Sequence, residues 1–180
     1  MRIIITGSAG FIGFHLAKEF LRKKHEVYGI DNFNDYYSPK LKKDRINILK
    51  KYKNFNFELL DLKKYRETFN HFTKVKPEII YHLASQPGIM YSFKNPLTYK
   101  ENNVDVTKNL IKICKKILPK KFYFTSSSSV YGNQKHYPLK ENSKLLPMNF
   151  YANTKKKCEN LLQINFKNQP IDLKIFRPFT

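Results

Sequence analysis

Residues 2–13 read "RIIITGSAGFIG", and this stretch decides how the chain folds. It opens with a short run, Arg2 to Thr6, whose isoleucines favour a strand that is buried on both faces. Gly7, Gly10 and Gly13 follow in the pattern G-x-x-G-x-x-G. Glycines at this spacing suit a tight turn between a strand and a helix that packs closely against it. The stretch therefore predicts the first strand-turn-helix unit of the fold.

A helix is expected directly after the turn, over residues 10–25. Ile12, Leu16, Phe20 and Leu21 lie at helical spacing there and would share one face. The alternation of strand and helix then continues along the chain, with no internal repeat. Strands are predicted at residues 2–6, 26–31, 54–62, 77–85, 120–127 and 172–178, and further helices at 38–52, 64–74, 95–117 and 151–166.

This alternation predicts an α/β fold, a doubly wound parallel sheet of the Rossmann type with about six strands and with helices on both faces. A length of 180 residues suits one domain that can bury a sizeable core. Ligands of such sheets bind beyond the carboxyl ends of the strands. Candidate functional residues are therefore sought where each predicted strand ends.

The glycine turn has the features of a dinucleotide site. Glycine lets a pyrophosphate approach the backbone, and the helix that follows turns its unpaired N–H groups toward the phosphates. Asp31 ends the second strand, 18 residues after Gly13, where its carboxylate can accept hydrogen bonds from an adenosine ribose. The same carboxylate would repel a 2′-phosphate, so NAD is predicted rather than NADP. The alternative is a tight turn that binds no ligand.

Two features near this turn have two interpretations each. Asp61 ends the third strand, where it would reach an adenine amino group or serve only as a turn aspartate. Tyr36 and Tyr37 follow the second strand, where they would cover the adenosine end of a cofactor or only pack the loop. The residues alone leave both questions open.

Hydroxyls and a tyrosine predict the chemistry. Four serines, residues 126–129, end the fifth strand, and "YANTK" later places Tyr151 and Lys155 on one face of a helix. A tyrosine with a pKa of about 10 is a poor base at neutral pH. A nearby ammonium and a cationic nicotinamide ring would lower that pKa, and a serine hydroxyl would hold the same substrate alcohol. Taken alone, a Tyr/Lys pair at this spacing is more often a helix surface pair.

A strong positive charge does not by itself identify a partner. The net charge of +20 admits nucleic acid, anionic lipid or a phosphorylated small molecule. The lysines form short clusters over most of the chain, which favours solvated helix faces, so no nucleic-acid partner is expected. The alternative is a catalytically silent nucleotide-binding module that regulates a partner or binds RNA through its lysines.

The remaining composition favours a soluble, cytoplasmic protein. Cys114 and Cys158 are isolated and have no metal-ligand spacing, so no metal site is expected and a reducing compartment is the default. The chain starts with a short apolar run and then glycines, which does not read as a signal peptide. No stretch approaches the roughly 18 apolar residues of a membrane span, so no membrane partner is expected.

Six segments together resemble the NAD-dependent epimerase/dehydratase family of extended short-chain dehydrogenase/reductases, and within it the UDP-glucuronate 4-epimerases. The similarity runs along the whole chain. The glycine and Tyr/Lys motifs are shared by the wider superfamily, whereas the second segment is particular to the uronate epimerases. The segments are "TGSAGFIG", "DNFNDYYSPKLKKDR", "HLASQPGIMYSFKNP", "SSSSVYG", "YANTKK" and "FRPFT".

The resemblance implies a set of site residues. Tyr151 would be the base, Lys155 its partner, and Ser127 the hydroxyl that holds the substrate, with Ser128 as the fallback. The substrate would also contact Thr180. NAD would be bound by Gly7, Gly10, Phe11, Ile12, Gly13, Asp31, Asn32, Asp61, Leu62, Ala84, Asn103, Tyr151, Lys155 and Pro178.

The reaction that the resemblance implies is redox-neutral. Tyr151 would remove the proton of the sugar 4-hydroxyl while hydride leaves C4 for NAD, and the keto sugar would turn over and regain the hydride on its other face. Dehydratase and decarboxylase relatives commonly carry a carboxylate where this chain has Ser128 and Ser129, which favours epimerisation here. UDP-glucuronate is the expected nucleotide sugar, although Met90 replaces an arginine that many uronate epimerases carry.

The family also implies a longer protein. Its members continue beyond the point that matches Thr180, into a smaller substrate-binding domain. Residues 1–180 are therefore expected to be an N-terminal NAD-binding domain that carries the Tyr/Lys pair and lacks the C-terminal substrate domain. Such a chain would bind NAD weakly and turn over nothing measurable alone, and the full-length protein would be a homodimer.

Overall fold

The computed structural model describes residues 1–135 and 137–179, and one parallel sheet dominates it. The strands are β1 (Arg2–Thr6), β2 (Glu26–Asp31), β3 (Phe55–Leu59), β4 (Ile79–His82), β5 (Lys121–Thr125) and β6 (Asp172–Phe176). They lie in the order β3-β2-β1-β4-β5-β6, and every neighbouring pair is parallel. The predicted doubly wound parallel sheet is confirmed.

Helices connect the strands and cover both faces of the sheet. They are α1 (Phe11–Arg22), α2 (Pro39–Leu49), α3 (Tyr65–Val75), α4 (Ile89–Lys94), α5 (Pro96–Tyr99), α6 (Val106–Ile117) and α7 (Phe150–Phe166). The single helix predicted over residues 95–117 is instead α5, a π-helical segment at Lys100–Asp105, and α6. The sequence pattern does not signal α4 or the 3₁₀ turn at Ser128–Tyr131.

The buried face of α1 differs from the predicted one. Its buried residues are Gly13, Phe14, Ala17 and Leu21. Of the predicted set only Leu21 is buried, since Leu16 and Phe20 are half-buried and Ile12 is 49% exposed. The glycine turn causes this rotation, because Gly13 has to face the turn, where a Cβ would collide with the carbonyl of Gly7. Ile12 is left at the carboxyl edge of the sheet.

Two apolar clusters form the core, one on each face of the sheet. The cluster under α3, α6 and α7 contains Phe72 and Leu110, both fully buried. The cluster under α1 and α2 contains Ile3 and Ile5 of β1, which are also fully buried. Burial on this scale stabilises the sheet by about 25 cal/mol for each Å² of apolar surface removed from water. The sheet is therefore a rigid base for the loops at its carboxyl edge.

Two kinds of feature are missing from the described part of the chain. None of the helices within residues 1–135 and 137–179 is long and apolar enough to cross a membrane. Across the same residues, no group of three or more histidine, cysteine, aspartate or glutamate side chains is placed to hold a metal ion.

The strand order decides where a ligand can enter. From β1 the chain moves outward to β2 and β3, and then crosses back to β4, on the other side of β1. The connections that leave β1 and β4 therefore run in opposite directions, and a crevice opens between them at the carboxyl edge. This crevice is the natural ligand site of the fold.

Candidate cofactor and catalytic site

A groove of about 450 Å³ follows the carboxyl edge of the sheet across this crevice. Most of the residues predicted for cofactor and substrate line it: Gly7, Gly10, Phe11, Ile12, Gly13, Asp31, Asn32, Asp61, Leu62, Ala84, Ser127, Tyr151, Lys155 and Pro178. The lining does not include Asn103 or Ser128. Thr180 lies outside the described residues, so its predicted role stays a prediction.

The glycine turn forms the floor of the groove. Gly7 has a φ of 73°, and a Cβ there would lie 2.8 Å from the backbone nitrogen of Ala84, closer than real Cβ contacts come. Gly10 donates its N–H to the Gly7 carbonyl over 3.0 Å and immediately precedes α1. The backbone is therefore bare of side chains where the first N–H groups of α1 face the groove, as a bound pyrophosphate requires.

Asp31 is held in place at one end of the groove. Its Oδ1 accepts the backbone N–H of Phe33 over 2.9 Å, and its Oδ2 accepts that of Ala9 over 3.1 Å. Each carboxylate oxygen can accept more than one hydrogen bond, so acceptor capacity is left for a ribose diol. Asn32 follows it, and the side-chain oxygen of Asn32 accepts the N–H of Asn34 over 3.1 Å.

Asp61 forms the turn that one of its two interpretations describes, and its predicted contact with an adenine amino group stays a prediction. Its Oδ1 accepts the backbone N–H of Lys63 over 2.9 Å, which is the role of a turn aspartate. Asp61 and the buried Leu62 also line the groove beyond the end of β3, beside the end of β2. The groove therefore has an acidic end, beyond β2 and β3, and a hydroxyl-rich end beyond β5.

Tyr151 and Lys155 lie at the hydroxyl-rich end of the groove. The Asn149 side chain accepts the N–H of Ala152 over 2.8 Å, and this cap starts α7 at Phe150, one residue before the predicted Tyr151. Tyr151 thus lies in the first turn of α7, and Lys155 follows one turn later.

Lys155 is unusually buried for a lysine, with 2% of its surface exposed. Its ammonium donates to the Thr125 carbonyl over 2.8 Å and lies 5.0 Å from the ring centroid of Phe124. Burial lowers the pKa of Lys155 to about 8, against a smaller opposing effect of Cys158 and Glu159. The structure therefore holds Lys155 by specific contacts at the wall of the groove.

The pKa of Tyr151 is raised by its surroundings in the protein. Burial raises it above the ordinary value, a hydrogen bond with the Ser127 hydroxyl lowers it in part, and Tyr37 raises it. Lys155 is not among the groups that shift it. The ammonium alone therefore does not lower the pKa of Tyr151, and the lowering predicted for the ammonium and a nicotinamide ring together stays a prediction. A positive ring in the groove is the remaining influence that would favour the phenolate.

The serines after β5 have three different environments. Ser127 lines the groove, and its Oγ lies 2.8 Å from the Ser129 Oγ and accepts the Ser129 N–H over 3.2 Å. Ser126 also lines the groove, and its buried hydroxyl has no partner among the described residues. Ser128 starts the 3₁₀ turn and does not reach the groove lining. The geometry favours Ser127 over the fallback Ser128.

Asn103 lies behind the groove wall. Its side-chain oxygen accepts the N–H of Gln86 over 2.7 Å, and its amide donates to the Gln86 carbonyl and to the Thr154 hydroxyl, each over 3.2 Å. The neighbouring Asn102 lines the groove instead. Asn103 therefore joins the loop after β4 to α7, and its predicted contact with the nicotinamide ribose stays a prediction.

A largely buried ion pair connects α7 to the segment that follows β6. Arg177 donates Nε and Nη2 to the two carboxylate oxygens of Glu159, over 3.0 and 2.7 Å, and Glu159 is 1% exposed. Its Nη1 donates to the Tyr131 hydroxyl over 3.0 Å. These contacts fix α7 relative to the serine turn. Sequence reasoning missed the pair, although Glu159 lies one helical turn beyond Lys155.

Sequence reasoning also missed Lys42 and Tyr99. Lys42 lines the groove and belongs to the buried stripe of α2 with Ile46 and Leu49, which is a detectable signal because lysine rarely occupies such a stripe. The ring centroid of Tyr99 lies 6.0 Å from that of Tyr151, and burial raises the pKa of Tyr99 to about 12. Tyr99 therefore packs edge-on against the ring of Tyr151 and stays a neutral phenol at neutral pH.

Comparison with known proteins gives a family match over nearly the whole chain. The family model described as GDP-mannose 4,6 dehydratase matches residues 4–178. Similar proteins include the probable UDP-glucuronate 4-epimerase of Rhizobium meliloti, 36% identical over 100% of this chain and 53% of its own length. The UDP-glucuronate 4-epimerase of Thermodesulfobacterium geofontis is 35% identical over 98% of this chain and 55% of its own length.

A solved structure agrees with the fold in detail. The Bacillus cereus UDP-glucuronic acid 4-epimerase, in complex with UDP-glucuronic acid and NAD, superposes with a TM-score of 0.92 and 35% identity. The match covers 100% of this chain and 57% of that one. The chain spans about half the length of the curated relatives it matches.

Proposed function

Because the chain belongs to the GDP-mannose 4,6 dehydratase family, we propose that it is the NAD-binding domain and catalytic pair of a nucleotide-sugar 4-epimerase that acts on UDP-glucuronate. One observation carries the proposal: the groove joins the glycine turn and Asp31 at one end to Ser127, Tyr151 and Lys155 at the other. The epimerases among the relatives, and the UDP-glucuronic acid complex of the Bacillus cereus enzyme, support the sugar.

The residues present fit NAD. A Cβ on Gly7 or Gly13 would fill the space that the turn leaves bare, and a buried hydroxyl, Ser126, needs a partner in the groove. Gly7, Gly10 and Gly13 would hold the pyrophosphate, and Asp31 the adenosine ribose, with Lys155 at the nicotinamide end. When bound, NAD supplies a hydride acceptor that returns the same hydride, so none is consumed.

Tyr151 is the proposed base for the sugar 4-hydroxyl. Its phenol meets Ser127 at the groove wall, where the serine hydroxyl would hold the substrate oxygen while Tyr151 takes the proton. Burial raises the pKa of Tyr151, which favours the protonated phenol. Tyr151 would therefore act as a base only when a positive charge beside it favours the phenolate. Lys155 would orient the ribose from the same wall of the groove.

The distribution of carboxylates favours epimerisation over dehydration or decarboxylation. Of the described residues that line the groove, Asp31 and Asp61 are the only carboxylates, and both lie at the β2 and β3 end. Ser128 and Ser129 occupy the positions before Val130 where dehydratase and decarboxylase relatives commonly carry a carboxylic acid. No lining carboxylate is thus placed to move a proton at a neighbouring sugar carbon.

The expected location and assembly belong to the same proposal. A cytoplasmic location agrees with the two buried, unpaired cysteines, Cys114 and Cys158, because a reducing compartment keeps thiols in that form. A homodimer is expected of the full-length protein, without nucleic acid, and sedimentation velocity with and without RNA measures both. RNA affinity that falls steeply with salt would favour the alternative of a non-catalytic basic module.

The experiment compares the 180-residue chain with a chimera in which it replaces the matching part of the Bacillus cereus epimerase. We expect the chain to bind NAD without turnover, and the chimera to convert UDP-glucuronate to its 4-epimer, followed by NMR of the product. In the chimera, Tyr151→Phe should keep NAD and lose turnover, whereas Lys157→Met, at an exposed position of α7, should change neither.

Three results would contradict the proposal. If the 180-residue chain binds no NAD, it is not the proposed NAD-binding domain. If the Tyr151→Phe chimera is as active as its parent, Tyr151 is not the base. A product that has lost carbon dioxide or water would assign the decarboxylase or dehydratase reaction instead.

A further inference from the structure

Lys42 is a buried cation at the acidic end of the groove. It lies in the first turn of α2 and is 7% exposed, whereas the adjacent Lys43 is exposed. A lysine is rarely buried to this extent unless its ammonium is satisfied. Lys42 also lines the groove, so this buried ammonium lies at the candidate ligand site. What satisfies the ammonium therefore bears on ligand binding.

The ammonium of Lys42 is satisfied by one residue of the loop after β2. It donates to the Asn34 carbonyl over 2.7 Å and to the Asn34 side-chain oxygen over 2.5 Å. Lys42 thereby connects α2 to the middle of residues 32–37, which we call the adenosine loop. Charge-assisted hydrogen bonds of this kind are about twice as strong as neutral ones.

The adenosine loop is a strained segment that needs such a support. Phe33 has a φ of 51°, which side chains rarely adopt, and its ring stacks on that of Phe57. The same residue donates the N–H that Asp31 Oδ1 accepts over 2.9 Å. Asn34 is next in the chain. Its anchorage by Lys42 therefore helps to hold the carboxylate of Asp31 in its orientation toward the groove.

The other end of the adenosine loop reaches across the groove mouth. The ring of Tyr36 lies 5.2 Å from that of Tyr91, between centroids, and its hydroxyl fills the space beside Gly88. Tyr36 and Tyr37 both line the groove. The loop is thus held at Asn34 by Lys42 and at Tyr36 by the segment after β4. Since Tyr37 also influences the pKa of Tyr151, the loop runs along the groove from Asp31 toward Tyr151.

We propose that Lys42 is a positioning residue that holds the adenosine loop over the cofactor and so slows its release. The inference rests on the proposed function, because it assumes that NAD occupies the groove. It adds a reason why this cofactor would stay bound through successive turnovers, which a reaction without net oxidation requires. It also explains why a lysine occupies the buried stripe of α2, where an apolar residue is usual.

The test compares Lys42→Met with Lys43→Met in the full chain. Methionine keeps most of the buried stem but removes the charge and the donors. We expect NAD to dissociate at least about tenfold faster from Lys42→Met, since one lost charge-assisted hydrogen bond is worth about one order of magnitude. Lys43→Met should release NAD at the rate of the unchanged chain. Stopped-flow displacement measures the rates.

A second ligand separates positioning from general loosening. Nicotinamide mononucleotide lacks the adenosine, so Lys42→Met should bind it as the unchanged chain does, whereas a merely structural role would weaken both ligands. Asn34→Ala, at a half-buried loop position, should also speed NAD release, which covers the case in which Lys42→Met does not fold.

Each outcome decides between the two proposals. If the unchanged chain binds no NAD, the proposed function fails and this inference fails with it. If it binds NAD but Lys42→Met and Asn34→Ala release it at the unchanged rate, only the inference is overturned. Equal weakening of NAD and of nicotinamide mononucleotide would also overturn it.

Discussion

The buried ammonium of Lys155 should make the stability of the protein rise with pH in the alkaline range. Burial lowers the pKa of Lys155 from the ordinary 10.5 to about 8 in the folded chain. The unfolded chain therefore binds more protons than the folded one between these two values, and stability increases with pH wherever that holds. Lys155→Met removes this titration. Lys157→Met, at an exposed position of the same helix, leaves it in place.

The size of the effect follows from the pKa difference. Below pH 8 both states are protonated and the cost of burying the ammonium is fully present, whereas above pH 10.5 neither state is charged and the cost is gone. Each pKa unit is worth about 1.4 kcal/mol, so the whole span is about 3 kcal/mol. Between pH 7 and pH 10 the wild type should gain about 2 to 3 kcal/mol relative to Lys155→Met.

Urea unfolding of the three proteins at several pH values between 7 and 10 measures this difference. Titrations of tyrosines and other lysines are common to all three and largely cancel. A flat difference between wild type and Lys155→Met over this range would refute the reasoning, because Lys155 would then titrate like a solvated lysine. If the difference in stability between wild type and Lys157→Met rose with pH by the same amount, the pH dependence could not be assigned to Lys155.

Two further substitutions test the turn and the ion pair. Gly13→Ala should lower the free energy of unfolding by about 1 to 3 kcal/mol through the collision with the turn, measured by urea unfolding. Gly10→Ala, whose Cβ would lie 3.1 Å from the Gly7 carbonyl oxygen, should cost less, and equal losses would contradict this reading. Arg177→Met should cost about 3 to 5 kcal/mol in the same assay, because it leaves Glu159 buried and unpaired. Lys174→Met removes the exposed ion pair with Asp172 and should change the free energy of unfolding little. If Lys174→Met and Arg177→Met lowered it equally, burial of the Arg177 pair would not matter.

The central strands and the glycine turn could be predicted because local sequence determines them. A run of β-branched residues that ends in spaced glycines has few structural solutions, and "RIIITGSAGFIG" forms β1, the turn and the start of α1 as expected. The parallel pairing of the strands follows from the alternation of strands and helices, whereas their order in the sheet comes from the structure alone. Asp31, Ser127 and Tyr151 line one groove for the same reason, since each lies near the carboxyl edge of this sheet.

Features that depend on tertiary packing could not be predicted. The face of α1 is set by how closely Gly13 approaches the turn, which helical periodicity does not encode. The direction of the Tyr151 pKa depends on its burial, which the spacing of Tyr151 and Lys155 does not reveal. Lys42 belongs to one of the short lysine clusters whose spread along the chain favours solvated helix faces. Only its spacing with Ile46 and Leu49 along α2 indicates that it is buried.

The most direct test of the account is the pKa of the Tyr151 phenol with and without NAD. The ultraviolet difference between wild type and Tyr151→Phe, titrated at 295 nm, isolates this residue from the other tyrosines of the chain. We expect a pKa above the ordinary value of about 10 without NAD, because burial dominates. With NAD bound, the positive nicotinamide ring should bring it below that value. A pKa that does not change on NAD binding would contradict the assignment of Tyr151 as the base.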